Sequence, residues 1–226
     1  PCFSAPDEFL YAIRDAGFDV LSTANNHCLD RGSKGGLRTI HLLDSLSIPH
    51  LGTYPDSACQ AATHPLIIEK NGIKLALIAY TYATNGIKAT PPFRVNYIDD
   101  KQIAQDIARA KSQQPDAIIA LMHWGEEYHS LPSKAQKTLA DKLFSQGVTH
   151  IIGSHPHVVQ PIELRTDSAA ATRRLLVYSL GNFIFDTDYQ RAHLYTDTGV
   201  LLKLIFTEES LDFEAMGIRI IRGEER

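Results

Sequence analysis

A chain of 226 residues with 44% hydrophobic content is long enough to bury a full core and fits one large domain. Its formal net charge of −4 leaves no basic footprint, which disfavours nucleic acid as a partner, and no apolar run approaches the roughly 20 residues that would span a bilayer. The three cysteines, Cys2, Cys28 and Cys59, have neither metal-type nor disulfide spacing and read as ordinary thiols. No signal-peptide pattern opens the chain, but it begins at Pro1 rather than Met, so its natural start stays open.

In chain order, Ser4-Ala5-Pro6-Asp7 predicts a helix start with Ser4 as N-cap, Leu10, Ile13 and Ala16 on one face and Gly17 as the stop. Residues 18–23 predict a short strand running into the polar loop Ala24-Asn25-Asn26-His27-Cys28-Leu29-Asp30-Arg31-Gly32. From Gly35, the spacing of Leu37, Ile40, Leu43 and Leu46 predicts a helix with a core stripe. Residues 65–69 and 73–80 are β-rich runs, and the Asn71-Gly72 between them predicts a type I′ hairpin turn. The stretch 81–96 lacks periodicity and reads as a surface excursion beside a site. A helix is expected over 99–111, with Ile103, Ile107 and Ala110 inward, then a buried strand over 116–122. Ser133 and Gln136 predict a capping box for another helix that Gly147 closes. Strands are expected at 148–152 and 175–179, separated by a loop rich in Ala, Thr and Arg, and 199–206 and 211–221 read as a closing strand pair.

The informative pattern lies at the strand ends. Gly153-Ser154-His155-Pro156-His157 follows one apolar run and precedes Val158-Val159. Side chains two apart share a face in extended backbone, and Pro156 disfavours the helical region for His155, so the two imidazoles are expected to be held extended and aimed at one point. Gly153 is expected to let the backbone leave the strand abruptly. A lone loop histidine is usually just a polar residue with a satisfied ring. Here the strands ending near 23, 122, 152 and 179 are each followed by a loop opening on His or Asn, and carboxyl ends of strands in an open α/β sheet converge on one ligand-binding edge. His27, His123, His155 and His157 would then share one cleft. Paired histidines at such a strand end suit a divalent metal.

The motifs Ala-Asn-Asn-His-Cys-Leu-Asp-Arg-Gly at 24–32, His-Trp-Gly-Glu-Glu-Tyr at 123–128, Gly-Ser-His-Pro-His-Val at 153–158 and Ser-Leu-Gly-Asn-Phe at 179–183 resemble the CapA family. These are bacterial poly-γ-glutamate capsule synthesis proteins, similar in turn to calcineurin-type metallophosphoesterases. The resemblance covers the chain from near Phe3 to at least Asp186. It implies an α/β fold of the metallophosphatase kind, a four-layer α/β/β/α sandwich, formed by residues 1–226 as a single domain.

Residue by residue, the resemblance implies Asn26, His123, His155 and His157 as metal ligands and His27 as the general acid. It implies a divalent metal cofactor, a borderline ion such as Zn, Mn or Fe for imidazoles with an amide oxygen, in sites that hold two ions about 3.5–4 Å apart. Asp30 could orient His27 or cap the next turn, Glu127 could position substrate or be a solvated carboxylate, and Asn182 could line the cleft, while Phe183 and Phe185 read as core. His41, His50, His64, His129, His150 and His193 receive no role. In the family a Gly-Asp and an Asn-Leu-Glu stretch supply carboxylates from upstream of the segment that starts here, so the chain is expected to be truncated at its N-terminus and to bind metal weakly alone. The implied function is capsule biosynthesis with a metal-dependent hydrolase site. The alternative is a non-catalytic assembly or polymer-binding component whose metal only organises loops. Implied partners are a phosphoester substrate or the anionic polymer poly-γ-glutamate, and other capsule synthesis components. The implied location is the cell envelope, with any membrane anchor upstream.

Overall fold

The computed structural model describes residues 2–167, 172–184, 195–207 and 211–220. The chain groups into two compact units, Pro1–Ile68 with Leu75–His123, and Glu69–Lys74 with Trp124–Arg226.

The first unit runs α1 (Asp7–Asp15), β1 (Leu21–Ser22), α2 (Gly32–Ser45), β2 (His50–Leu51), β3 (Thr53–Tyr54), α3 (Ser57–Thr63), β4 (Leu66–Lys70), β5 (Ile73–Thr81), β6 (Arg94–Val95), α4 (Asp100–Ser112) and β7 (Ala117–His123). Pro6 rather than Ser4 occupies the N-cap of α1, and no side chain caps it. Pro6 is extended and lacks an N–H, so it ends the preceding chain without a hydroxyl acceptor. Gly17 stops α1 at positive φ as expected. Leu10 and Ile13 are only half-buried and Ala16 is exposed, so the apolar stripe of α1 buries little.

In α2 the stripe is real, with Ile40 and Leu43 at 1% exposure. Asp99 caps α4 by accepting from the Gln102 N–H at 2.8 Å, and Ile103, Ile107 and Ala110 face inward. Each aliphatic side chain so buried contributes about 1.5–3 kcal/mol. β4 and β5 are neighbours, and Asn71 and Gly72 between them both take positive φ, the type I′ geometry. β5 runs parallel to β7 in the register Leu75↔Ala117 through Thr81↔His123. β1 pairs in parallel with β2, a partner the sequence pattern did not separate from its surroundings.

The stretch 81–96 is not only a surface excursion. Phe93 and Val95 join Leu29 and Ile40 in a buried cluster, and β6 pairs antiparallel with β3. Two inward apolar side chains outweigh the surrounding polarity and dock the segment.

His64, given no role from sequence, lies at the centre of a buried polar network. The Tyr54 hydroxyl is 2.9 Å from its Nδ1, and its Nε2 is 3.3 Å from Asp106 Oδ2. The Tyr80 hydroxyl donates to the same carboxylate at 2.8 Å, and Arg109 bonds its other oxygen. Burial alone would raise the Asp106 carboxyl, but the hydrogen bond and attraction of His64, with those of Arg109 and Tyr80, outweigh it and hold the group at about 2.

The second unit holds α5 (Lys134–Gln146), β8 (His150–Ser154), β9 (Ile162–Asp167), β10 (Thr172–Val177), β11 (Thr198–Phe206) and β12 (Leu211–Arg219). The α5 capping box forms in full, since Ser133 Oγ accepts from the Gln136 N–H while the Gln136 side chain accepts from the Ser133 N–H. Gly147 closes α5 in the left-handed conformation.

β8 is parallel to β10, and β9 is antiparallel to β10. β9 was not foreseen, because Glu163 and Arg165 interrupt its apolar residues and leave alternation too weak to stand out from a loop. β11 and β12 pair antiparallel from Thr198↔Arg219 to Phe206↔Leu211, as expected. Leu202, Leu204, Phe206 and Phe213 cover Leu175 and Val177. Among the described residues, no helix is long and apolar enough to cross a membrane.

Candidate active site

In the first unit the loop after β1 is built by its own polar side chains. Asn25 Oδ1 accepts from the His27 N–H at 2.8 Å and Asn25 Nδ2 donates to the Thr23 carbonyl at 3.3 Å, a local turn that competes with regular structure. Leu29, fully buried with Ile40, Phe93 and Val95, anchors the loop to the core. Between these fixings Asn26 is 5% exposed, with its Oδ1 2.9 Å from His123 Nε2. Asn26 Nδ2 donates to Asn85 Oδ1 at 3.2 Å, which agrees with its Oδ1 facing the imidazole.

His27 Nδ1 lies 2.8 Å from Asp30 Oδ2, and Asp30 also accepts from the Phe3 N–H at 2.7 Å. A carboxylate only accepts, so Nδ1 carries a proton and Nε2 is the ring's outward nitrogen. Asn85 Nδ2, 3.3 Å from the same Nδ1, is the weaker neighbour. The Phe3 ring meets the His27 ring edge-on at 4.6 Å. A cavity of about 890 Å³ beside them is lined by α1, α2 and the side chains of Phe3, His27, Asp30 and Arg31. Burial pushes the Cys28 thiol up to about 11, so the free side chain is a neutral thiol at pH 7.

In the second unit His155 is 7% exposed, and its ring centroid is 6.2 Å from that of His157. The pair is not extended as expected. His155 has φ +100° and His157 φ +62°, so left-handed backbone on both sides of Pro156, not strand alternation, sets the rings. Non-glycine residues pay steric strain there, and such strain persists where the surroundings over-determine it. Those surroundings are visible. The Tyr128 N–H donates to the Pro156 carbonyl at 2.8 Å, and Asn182 bonds His157 twice.

The Asn182 amide donates from Nδ2 to the carbonyls of His157 at 3.2 Å and Thr196 at 2.9 Å. Its Oδ1 therefore faces His157 Nδ1 at 2.9 Å and accepts that nitrogen's proton. In the neutral ring the lone pair is left on Nε2, the arrangement a ligating histidine requires. Gly153 also serves differently from expectation. It lies inside β8 without positive φ, and a Cβ there would collide with the Tyr178 carbonyl oxygen and stand 2.5 Å from Trp124 Nε1, which itself donates to that carbonyl at 2.9 Å.

Glu127 is exposed, and its carbonyl accepts from His129 Nδ1 at 2.9 Å. Phe183 is 53% exposed rather than core, while Phe185 and His193 lie outside the described residues. Among the described residues, no group of three or more His, Cys, Asp or Glu side chains is gathered to hold an ion. The donors that do meet suit one. Two donors each about 2.1 Å from a metal and at right angles to it stand about 3 Å apart, the spacing of Asn26 Oδ1 and His123 Nε2.

Sequence reasoning missed Asn85, Asn25 and Thr196. The aperiodic polarity of 81–96 was the one signal for Asn85, and it marked the segment without marking the residue.

A family profile described as "Bacterial capsule synthesis protein PGA_cap" matches residues 1–187. The capsule biosynthesis protein CapA of Bacillus anthracis is 32% identical over 194 residues, covering 83% of this chain and 45% of its own length. Among solved structures, the NAD nucleotidase of Haemophilus influenzae superposes with a TM-score of 0.60 at 15% identity, over 95% of this chain and 42% of that one. The calcineurin-like phosphoesterase YfkN of Bacillus subtilis superposes with a TM-score of 0.51 at 18% identity, over 92% and 65%. These two likenesses are of fold alone, a mixed α/β fold resembling metallophosphoesterase structures. The chain spans less than half the length of the CapA protein it matches.

Proposed function

The chain belongs to the PGA_cap family of bacterial capsule synthesis proteins, and from that premise we propose that it serves capsule or poly-γ-glutamate biosynthesis through a metal-dependent hydrolase site of the metallophosphoesterase type. Asn26, His123, His155 and His157 hold the divalent metal, His27 is the general acid, and the whole chain forms one domain of four-layer α/β/β/α design. The observation that carries the reading is the meeting of Asn26 Oδ1, in the loop after β1, and His123 Nε2, at the end of β7, at 2.9 Å across 97 residues of sequence. A buried amide oxygen meeting a half-buried imidazole at the spacing of two ligands of one ion, at the strand ends of a phosphoesterase-like fold, supports a ligand set.

The bound ion would supply Lewis acidity to a phosphoryl or carbonyl oxygen and a lowered pKa to a coordinated water. The chain's own residues do the rest. Asn182 keeps the His157 proton on Nδ1 and so leaves Nε2 for coordination. Asp30 holds His27 by its Nδ1–H, so that the doubly protonated ring would present Nε2–H to a leaving group and give up that proton. Glu127, exposed beside the His123 motif, contacts substrate rather than metal. The substrate is a phosphoester or the amide backbone of polyglutamate, and the partners are that polymer and other capsule components at the cell envelope.

The test is hydrolysis of bis-p-nitrophenyl phosphate and of poly-γ-glutamate by the protein with Mn or Zn and with chelator. Metal-dependent turnover of either substrate, lowered in His27→Ala, supports the reading. Metal bound without turnover of any substrate would replace it with the non-catalytic assembly role.

A further inference from the structure

Two side chains that neither packing nor the proposed chemistry absorbs repeat one arrangement. The Tyr82 ring lies within 14° of parallel to the His123 ring, with centroids 6.4 Å apart, and the Tyr82 N–H donates to the His123 carbonyl at 3.0 Å. In the other unit, the Tyr128 ring lies within 21° of parallel to the His157 ring at 5.8 Å, and the Tyr128 N–H donates to the Pro156 carbonyl, the one directly preceding His157, at 2.8 Å. Tyr128 reaches this place at φ +65°, a costly conformation for an aromatic residue. Tyr82 is 44% exposed, so it is no core filler.

We propose that Tyr82 and Tyr128 are positioning residues for the imidazole ligands, each set nearly parallel beside one histidine in an offset arrangement and tied by a main-chain hydrogen bond to that histidine's own motif. The inference rests on the metal reading above and adds what sets the planes of the rings. A hydrogen bond to one ring nitrogen, such as Asn182 gives His157, fixes where the ring points but leaves it free to rock about that line. The nitrogen lone pair lies in the ring plane. A tilt of about 20° displaces the point it favours, about 2.1 Å away, by about 0.7 Å, beyond the roughly 0.5 Å tolerance of a working site. An offset parallel stack opposes that tilt, and the main-chain bond makes ring and tyrosine move together.

The experiment is a Co(II) titration of the metal-free protein followed by absorption, on wild type, Tyr82→Phe, Tyr82→Leu, Tyr128→Phe and Tyr128→Leu. Leucine fills similar volume without a flat face, while phenylalanine keeps the face. The leucine variants should bind about tenfold more weakly and the phenylalanine variants within about twofold of wild type, as partners behind a ligand typically contribute. Melting of each metal-free protein separates lost positioning from lost folding, and Tyr→Met at the same position serves where a leucine variant melts lower. Leucine variants that bind Co(II) as wild type does overturn the inference and leave the metal reading standing. A wild type that binds no Co(II) overturns both.

Discussion

His150 should make the stability of this protein fall as solution becomes mildly acidic. Its side chain is buried at 3% exposure, packed edge-on against Phe206 at 5.7 Å, and its Nδ1 accepts the Leu175 N–H at 3.1 Å. Burial first, and then the charge of Arg174, push the imidazole down from 6.5 to about 4. The folded value lies below the unfolded one, so the unfolded chain takes the proton first. The stabilising contribution is whole above pH 6.5 and is lost as pH falls from there toward 4. With those two values, lowering pH from 7.5 to 5 costs about 2 kcal/mol, or about 4–8 °C of melting temperature for a chain of this size. Urea unfolding at pH 7.5, 6 and 5 measures it. His150→Asn keeps an acceptor near the Nδ1 position and removes the titration, so its stability should change less over the same range by about that amount. Equal pH dependence in the two proteins would refute the reasoning.

Three further outcomes are expected. Gly153→Ala forces a methyl against the Tyr178 carbonyl and Trp124 Nε1 and should cost about 1–3 kcal/mol in unfolding experiments; unchanged melting would mean that β8 yields more easily than its packing implies. Asp106 is fully buried with a carboxyl held at about 2 against 3.8, so its contribution of about 2 kcal/mol is present above pH 3.8 and lost as pH falls toward 2, whereas Asp106→Asn should lack it at every pH. His27→Ala should lower turnover about 10²–10⁴-fold with metal content unchanged, and His155→Ala should lose metal, as inductively coupled plasma analysis of both would report. Equal metal retention in the two would contradict their separate roles.

Features set by local chemistry were legible in the sequence. The Ser133–Gln136 capping box, Gly17 and Gly147 as stops, and the Asn71-Gly72 turn depend on residues within a few positions of each other. The stripes of α2 and α4 were equally plain, because a helix displays its burial at fixed spacing. The strand-end histidines were identified correctly as to place but not as to backbone. Alternation argued for an extended His155-Pro156-His157, whereas contacts from Tyr128 and Asn182 hold it left-handed, and no local rule anticipates partners that distant. Gly153 illustrates the same limit. A turn glycine and a close-packing glycine look alike in sequence, and only the positions of the Tyr178 carbonyl and Trp124 distinguish them. β9 was lost because Glu163 and Arg165 hide a strand that pairs with β10. Asn85 could not be found because an exposed loop asparagine carries no sign of the Asn26 it bonds.

The central claim is that Asn26, His123, His155 and His157 are ligands of a divalent metal. Mn(II) binding measured by calorimetry on the metal-free protein, with Asn26→Ala and His157→Ala beside wild type, tests it most directly. The account predicts saturable binding by wild type at a stoichiometry of at least one ion, weakened at least tenfold in each variant while the variants still fold. Wild type and both variants binding alike, or none binding at all, would contradict it.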